Sequence, residues 1–161
     1  MVSERRPAFP MLATLIVISA SAPACGDFVE SGGDVTRLTV GAEGGTLTTE
    51  QLALIVPPHS LTSPVTLTAE RGPADAPASH AYVVGPHQIT FDATIPAEVT
   101  IHYDSAVHTH PTEVFAAVQT GGVWHQLPRP TGDTGTVGVA RGVTTMTGTF
   151  GAIECPGGVC P

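Results

Sequence analysis

The sequence contains no lysine, and its 6 basic residues, all arginines, are outnumbered by 14 acidic ones, which gives a formal net charge of −8. Proteins that bind nucleic acid do so through basic side chains that neutralise phosphates. This charge balance therefore excludes nucleic acid as an expected partner. It also disfavours electrostatic binding to an acidic membrane surface.

No apolar run in the chain reaches the roughly twenty residues that a membrane-spanning helix needs. The apolar run near the start, 11–18, follows Arg5 and Arg6 and precedes a stretch of small residues that ends at Cys25. A basic start, a short apolar run and small residues before a cleavage point are typical of a signal peptide. We therefore predict a signal peptide over 1–24.

Cys25 follows Ala22-Pro-Ala24, and the stretch resembles a bacterial lipobox, with Ala22 at the position where leucine is commonest. The alternative is an ordinary secretory cleavage site, with Cys25 an incidental thiol. We favour lipidation, in which acyl chains such as palmitate on Cys25 anchor the chain stably to a membrane. Residues 25–34 are then a short tether, and we expect the outer membrane of a Gram-negative bacterium as the location.

Cysteine is scarce, and the two cysteines besides Cys25 are Cys155 and Cys160 in the C-terminal tail, 154–161. Export into an oxidising compartment favours a disulfide between them. A metal site is the alternative, but it lacks two further ligands nearby. The sequence therefore predicts a disulfide that rigidifies the tail.

Helical periodicity is also missing. Short runs rich in Val, Ile and Thr recur about every ten residues between Gly, Pro, Asp and Ser clusters, a pattern typical of β-sandwiches and barrels. Side chains alternate in character over 65–70 and 97–103, as in half-buried strands. The sequence thus predicts an all-β fold, a single antiparallel β-sandwich over 35–153. The predicted strands cover 35–40, 45–49, 52–56, 65–70, 81–84, 88–91, 97–103, 113–119, 123–127, 136–141 and 145–153.

Three passages carry a family resemblance. Residues 40–47 (VGAEGGTL) lead to 52–61 (LALIVPPHSL), and 85–91 (GPHQITF) leads to 95–103 (IPAEVTIHY). The third passage is 114–119 with 122–128 (GVWHQLP). In this order they resemble the ZU5 domain family, with Gln88 where that family usually has glycine. The resemblance implies a β-sandwich that mediates protein contacts, here with a protein of the envelope.

Some members of that family cut their own chain at a His-Phe-Ser sequence on the last strand. The matching place here reads Thr149-Phe150-Gly151, which has neither the nucleophile nor the imidazole. We therefore expect no self-cleavage.

The densest group of possible metal ligands comprises His102, Asp104, His108 and His110. Two histidines two residues apart, with a carboxylate nearby, could form part of a zinc-like shell. The alternative is a histidine-containing exposed loop. We favour the loop and predict no cofactor, and we keep binding of a metal or small ligand as the second hypothesis.

Catalytic motifs are missing. Ser60 and His59 lie in a Pro-Pro turn, and the chain has no nucleophile-elbow motif. Trp124 could be an exposed platform for a glycan, but packing against the sandwich edge is the favoured interpretation. We therefore predict a non-catalytic interaction or structural module, and we rank a cell-wall or glycan hydrolase last.

Overall fold

The computed structural model describes residues 29–32, 35–73, 77–158 and 160. Strands in these ranges form two antiparallel sheets, which confirms the predicted all-β sandwich. The predicted signal peptide, 1–24, and Cys25 lie outside the described residues. The strands are β1 (Val29–Gly32), β2 (Val35–Val40), β3 (Gly45–Thr48), β4 (Leu52–Val56), β5 (Val65–Arg71), β6 (Ala78–Gly85), β7 (Ala97–His102), β8 (Val114–Thr120), β9 (Val123–Gln126), β10 (Val139–Thr144) and β11 (Thr149–Glu154).

The larger sheet has seven strands in the order β1-β2-β5-β6-β11-β8-β9, and the smaller has four in the order β10-β7-β4-β3. The chain passes from the smaller to the larger sheet between β7 and β8. Two short 3-10 turns, Ser105–Val107 and Pro111–Glu113, lie in this connection. We call residues 103–113 the crossover loop.

The main core lies between the two sheets, where the alternating side chains predicted to point inward are buried. In β5, Leu67 and Ala69 are fully buried, and in β7 the same holds for Val99 and Ile101. Burying a side chain of the size of Leu or Ile contributes about 1.5–3 kcal/mol. The alternation therefore has the phase that the sequence predicted.

A second, smaller cluster lies on the outer face of the seven-stranded sheet. Trp124 and Ile153 are buried there together with Cys155. Cys155 is joined to Cys160 by a disulfide, with their Cα atoms 4.4 Å apart, as predicted. The tail thus covers part of this face.

The larger sheet begins earlier than the sequence suggested. Val29–Gly32 lies within the predicted tether, yet it pairs with β2, with Val29 opposite Leu38. An edge strand is held by backbone hydrogen bonds, which a polar and glycine-rich sequence can also provide. Hydrophobic alternation therefore gave no sign of it.

The predicted strand at 88–91 does not form. Gln88 has a φ of 66°, in the left-handed region, which interrupts extended backbone. Thr90 makes only an isolated bridge to Met146. Residues 88–91 therefore contribute one bridge and no strand. The strand predicted at 145–153 is shorter than expected, because β11 begins at Thr149.

The strand predicted at 136–141 lies three residues later, as β10. Gly138 has a φ of 85°, and Val139 N–H donates to Thr136 O across 3.0 Å, so the chain turns before the strand begins. Among the described residues no helix has the length and apolar character needed to cross a membrane.

Candidate functional site

The crossover loop and the last strand, β11, meet through a cluster of polar contacts centred on Glu154. Of the four candidate metal ligands, only His108 and His110 converge, and they do so on Glu154 at the end of β11. His102 is exposed at the end of β7, opposite Val139 of β10. Asp104 is engaged elsewhere, because its Oδ1 accepts a hydrogen bond of 2.9 Å from Ala106 N–H and caps a 3-10 turn.

The four candidate residues therefore do not assemble into a metal shell. Within the ranges that the structure describes, no group of three or more His, Cys, Asp and Glu side chains is placed to hold a metal ion. His102 and Asp104 make their contacts elsewhere and do not join His108 and His110. The histidines are instead arranged around a carboxylate.

Glu154 anchors the crossover loop through both of its carboxylate oxygens. Oε1 accepts hydrogen bonds of 2.7 Å from His110 N–H and 2.7 Å from the ring nitrogen Nδ1 of His110. Oε2 accepts from Thr109 N–H at 3.1 Å and lies 3.3 Å from His108 Nδ1. One carboxylate thus holds three consecutive residues of the loop.

The charge state of Glu154 follows from these contacts. Partial burial by itself raises the pKa of the carboxyl group, but the hydrogen bonds from His110, Thr109 and His108 outweigh it and lower the pKa below 4.5. Glu154 is therefore ionised at neutral pH. An ionised carboxylate only accepts hydrogen bonds, so the proton of the contact with His108 is on Nδ1.

His108 continues the chain of polar contacts to Ser79 on β6. Its Nε2 lies 3.0 Å from Ser79 Oγ. The His108 side chain is only 5% exposed, and its ring packs edge-on against Tyr103 with the centroids 5.1 Å apart. The imidazole is thus fixed in position between a hydroxyl and a carboxylate.

Ser79 owes its orientation to a β-bulge. The register between β6 and β11 runs from Ala78 opposite Ile153 to Ala81 opposite Gly151, so two residues of β6 face one of β11. The two residues of β6 between these pairs are Ser79 and His80. His80 Nδ1 lies 3.2 Å from Ser79 Oγ. Bulges are frequent next to functional sites because they redirect side chains.

Partial burial lowers the pKa of His80, the positive charge of Arg71 lowers it further, and so does His108 when its ring is protonated, whereas Asp104 opposes the change. A neutral imidazole therefore lies beside Ser79 at neutral pH. Next to it is a shallow depression whose lining includes Pro77, Ala78 and Val107, and also His108 and Glu154.

Sequence reasoning named His108 but missed Ser79 and Glu154. Ser79 lies before the predicted strand 81–84, and Glu154 is the first residue of the predicted tail. A glutamate directly after an apolar strand was the only available signal, and it is a common feature of strand ends. The pairing of β6 with β11 that unites them is not visible in the sequence.

The other residues considered from the sequence have structural roles. Ser60 is buried and donates to Ile95 O across 2.9 Å, while His59 has a φ of 65° in the turn. Trp124 is only 6% exposed and packs over Gly151, so it is not an exposed platform. A Cβ atom at position 151 would lie 2.8 Å from Trp124 Cη2, so a serine there would not fit without moving the indole.

Comparison with models of known protein families gave no match, and comparison with curated proteins gave none. The ZU5 resemblance therefore stays a prediction from the three passages of the sequence.

Proposed function

We propose that this chain is a lipid-anchored protein of the bacterial envelope whose β-sandwich serves as an interaction or structural module. The predicted signal peptide and Cys25 support the anchor. The disulfide between Cys155 and Cys160 supports export, because disulfides persist in oxidising compartments. The ZU5 resemblance supports a role in protein contacts.

The observation that carries the interaction role is the outer face of the four-stranded sheet. On the seven-stranded sheet, Trp124 and the disulfide-bonded tail cover part of the outer face. On the smaller sheet, outward side chains are exposed or half-buried, and Ile55 is 42% exposed. The outer face of this sheet includes Thr46, Thr48, Ala53, Ile55, Glu98, Thr100, His102, Arg141 and Val143.

The chemistry of this face suits a protein partner. Ile55 lies between Thr46 and Glu98 in the register of neighbouring strands, and Thr100 lies beside Arg141. Small, β-branched and singly charged side chains make a flat surface of mixed polarity. Surfaces of this composition resemble ordinary protein interfaces more than small-ligand pockets, which are concave and mostly apolar. This supports our proposal that the partner is another folded protein of the envelope.

The anchor is tested by mass spectrometry of the mature N-terminus in membrane and soluble fractions, with Cys25→Ala in parallel. We expect an acylated Cys25 peptide in the membrane fraction and loss of membrane retention in the variant. An unmodified N-terminus in the soluble fraction would overturn the anchor.

The interaction face is tested with a photo-crosslinking residue at position 55 in the producing bacterium. A matched control carries the same residue at position 70, which is exposed on the other sheet in β5. We expect a discrete crosslinked species from position 55. An excess of the same protein without the crosslinking residue should reduce the amount of this species. Equal crosslinking from both positions, or none from position 55, would contradict the assignment of this face.

A further inference from the structure

The interaction role makes no use of the contacts that link Ser79, His108 and Glu154. We propose that these three residues form a nucleophile, base and orienting carboxylate, and that the site carries out acyl transfer from small esters to Ser79 Oγ. This activity goes beyond the proposed interaction role and runs against the expectation, drawn from the sequence, of a non-catalytic domain.

The atoms that face one another are those that the chemistry needs. His108 Nε2 lies 3.0 Å from Ser79 Oγ, within the range for a nucleophile and its base. The opposite ring nitrogen, Nδ1, lies 3.3 Å from Glu154 Oε2. Such a set is recognised by geometry and roles, and not by the order of residues along the chain.

The protonation pattern follows from the contacts of Glu154. Because the carboxylate accepts at Nδ1, the lone pair of His108 is on Nε2 and points at the hydroxyl of Ser79. The hydroxyl of Ser79 can donate to His108 Nε2 at 3.0 Å or to Ala152 O at 3.5 Å, and we assign its proton to the shorter contact, with His108. This is the arrangement in which an imidazole removes the proton of a serine as the serine attacks.

Anchoring the loop does not account for the whole arrangement. The N–H groups of Thr109 and His110 already bind the two oxygens of Glu154. The contact between His108 and Ser79 is additional, and it needs the bulge that turns Ser79 out of the regular register of β6. His108 is also held from the other side by Tyr103.

The surroundings indicate the class of substrate. Ser79 borders a shallow, open depression lined by Pro77, Ala78 and Val107, and Val107 is 64% exposed. The apolar surface of Pro77 and Val107 beside Ser79 favours a short apolar acyl group. A depression this shallow leaves the rest of the ester in solvent, so small esters are favoured over long polymers.

In the proposed reaction, Ser79 Oγ forms a bond to the ester carbonyl carbon while its proton passes to His108 Nε2. The C–O bond to the alcohol then breaks, and the alcohol leaves with that proton. Water next attacks the carbonyl carbon of the acyl-serine and gives a proton to His108. The bond between that carbon and Ser79 Oγ then breaks, Oγ takes the proton back from His108, and the acid is released.

The test is covalent labelling of the full-length protein in detergent with a fluorophosphonate, followed by peptide mass spectrometry. We expect a single adduct on Ser79 and none in Ser79→Ala. His108→Gln should slow labelling about 100-fold or more, as expected for loss of a general base. Glu154→Gln should slow it as well, while Ser63→Ala and His125→Gln, at exposed positions, leave the rate unchanged.

Melting temperatures of all variants separate loss of reactivity from loss of folding, and hydrolysis of a nitrophenyl butyrate ester gives a second readout. If Glu154→Gln does not fold, Ser79→Ala and His108→Gln still decide the question. Labelling equal to that of heat-denatured protein, or unchanged in His108→Gln, would show that the three residues are only a structural clamp. Neither result depends on whether the chain is anchored or crosslinks a partner.

Discussion

His80 occupies the bulge of β6 with its ring half-buried, and burial together with Arg71 and His108 lowers its pKa from the usual 6.5. The unfolded chain therefore takes up a proton at this position at a higher pH than the folded chain does. The contribution of the neutral ring to the free energy of unfolding is fully present above pH 6.5. It is lost as the pH falls through the lowered pKa of His80.

We predict that His80→Gln removes this part of the pH dependence. The melting temperature of the wild type should fall more between pH 7.5 and pH 5.5 than that of the variant. Thermal melts at a series of pH values in that window measure the difference. Parallel curves for the two proteins would show that the surroundings of His80 do not favour the neutral ring.

At the residue scale, the sequence predicted what depends on the chain's immediate neighbours. The alternation around Ile101 correctly placed His102 on the exposed face. It did not reveal Ser79 and Glu154, because the residues that meet His108 are separated from it by 29 and 46 positions. Contacts over such separations depend on sheet order, and one sequence does not display sheet order.

At the scale of elements, β6, β9 and β11 meet at Gly151. A Cβ atom there would lie 2.8 Å from Trp124 Cη2 and 2.9 Å from Ala78 Cβ. Because Gly151 has no side chain, the indole of Trp124 on β9 can pack this close to β11. This close packing holds the outer cluster together.

We predict that Gly151→Ala lowers the free energy of unfolding by about 1–3 kcal/mol, the usual effect of overpacking. The same change in a Trp124→Leu background should cost less, because the Trp124 contact is gone while the Ala78 contact remains. Denaturant titrations of the wild type, both single variants and the double variant give the coupling energy. A coupling energy of zero would mean that Trp124 does not press on position 151.

Elements were predictable where hydrophobic alternation was strong and turns were marked by glycine or proline. The strand at β5 is an example, since Leu67 and Ala69 point inward as predicted. The failure at 88–91 has a backbone cause, because Gln88 takes a left-handed conformation that sequence alternation does not report. The edge strand β1 was missed because its pairing rests on the backbone.

At the scale of the whole molecule, the two sheets are held together by one apolar layer. Strand β7 lies in the middle of the smaller sheet, and Ile101 is fully buried against the larger one. Its neighbour Thr100 points the opposite way and lies beside Arg141 of β10. Two adjacent residues of β7 therefore lie on opposite faces, Ile101 in the core and Thr100 on the outer surface of the sheet.

We predict that Ile101→Asp unfolds the domain, whereas Thr100→Asp leaves it folded. Placing an unpaired carboxylate in the core costs several kcal/mol, against a total stability of about 5–15 kcal/mol for a domain. At position 100 the same carboxylate faces outward next to a guanidinium, so its charge stays solvated and gains a partner. Far-ultraviolet circular dichroism and thermal melting distinguish the outcomes. If both variants melted together with the wild type, β7 would not lie between the sheets, and the layer that defines this sandwich would have to be assigned to other residues.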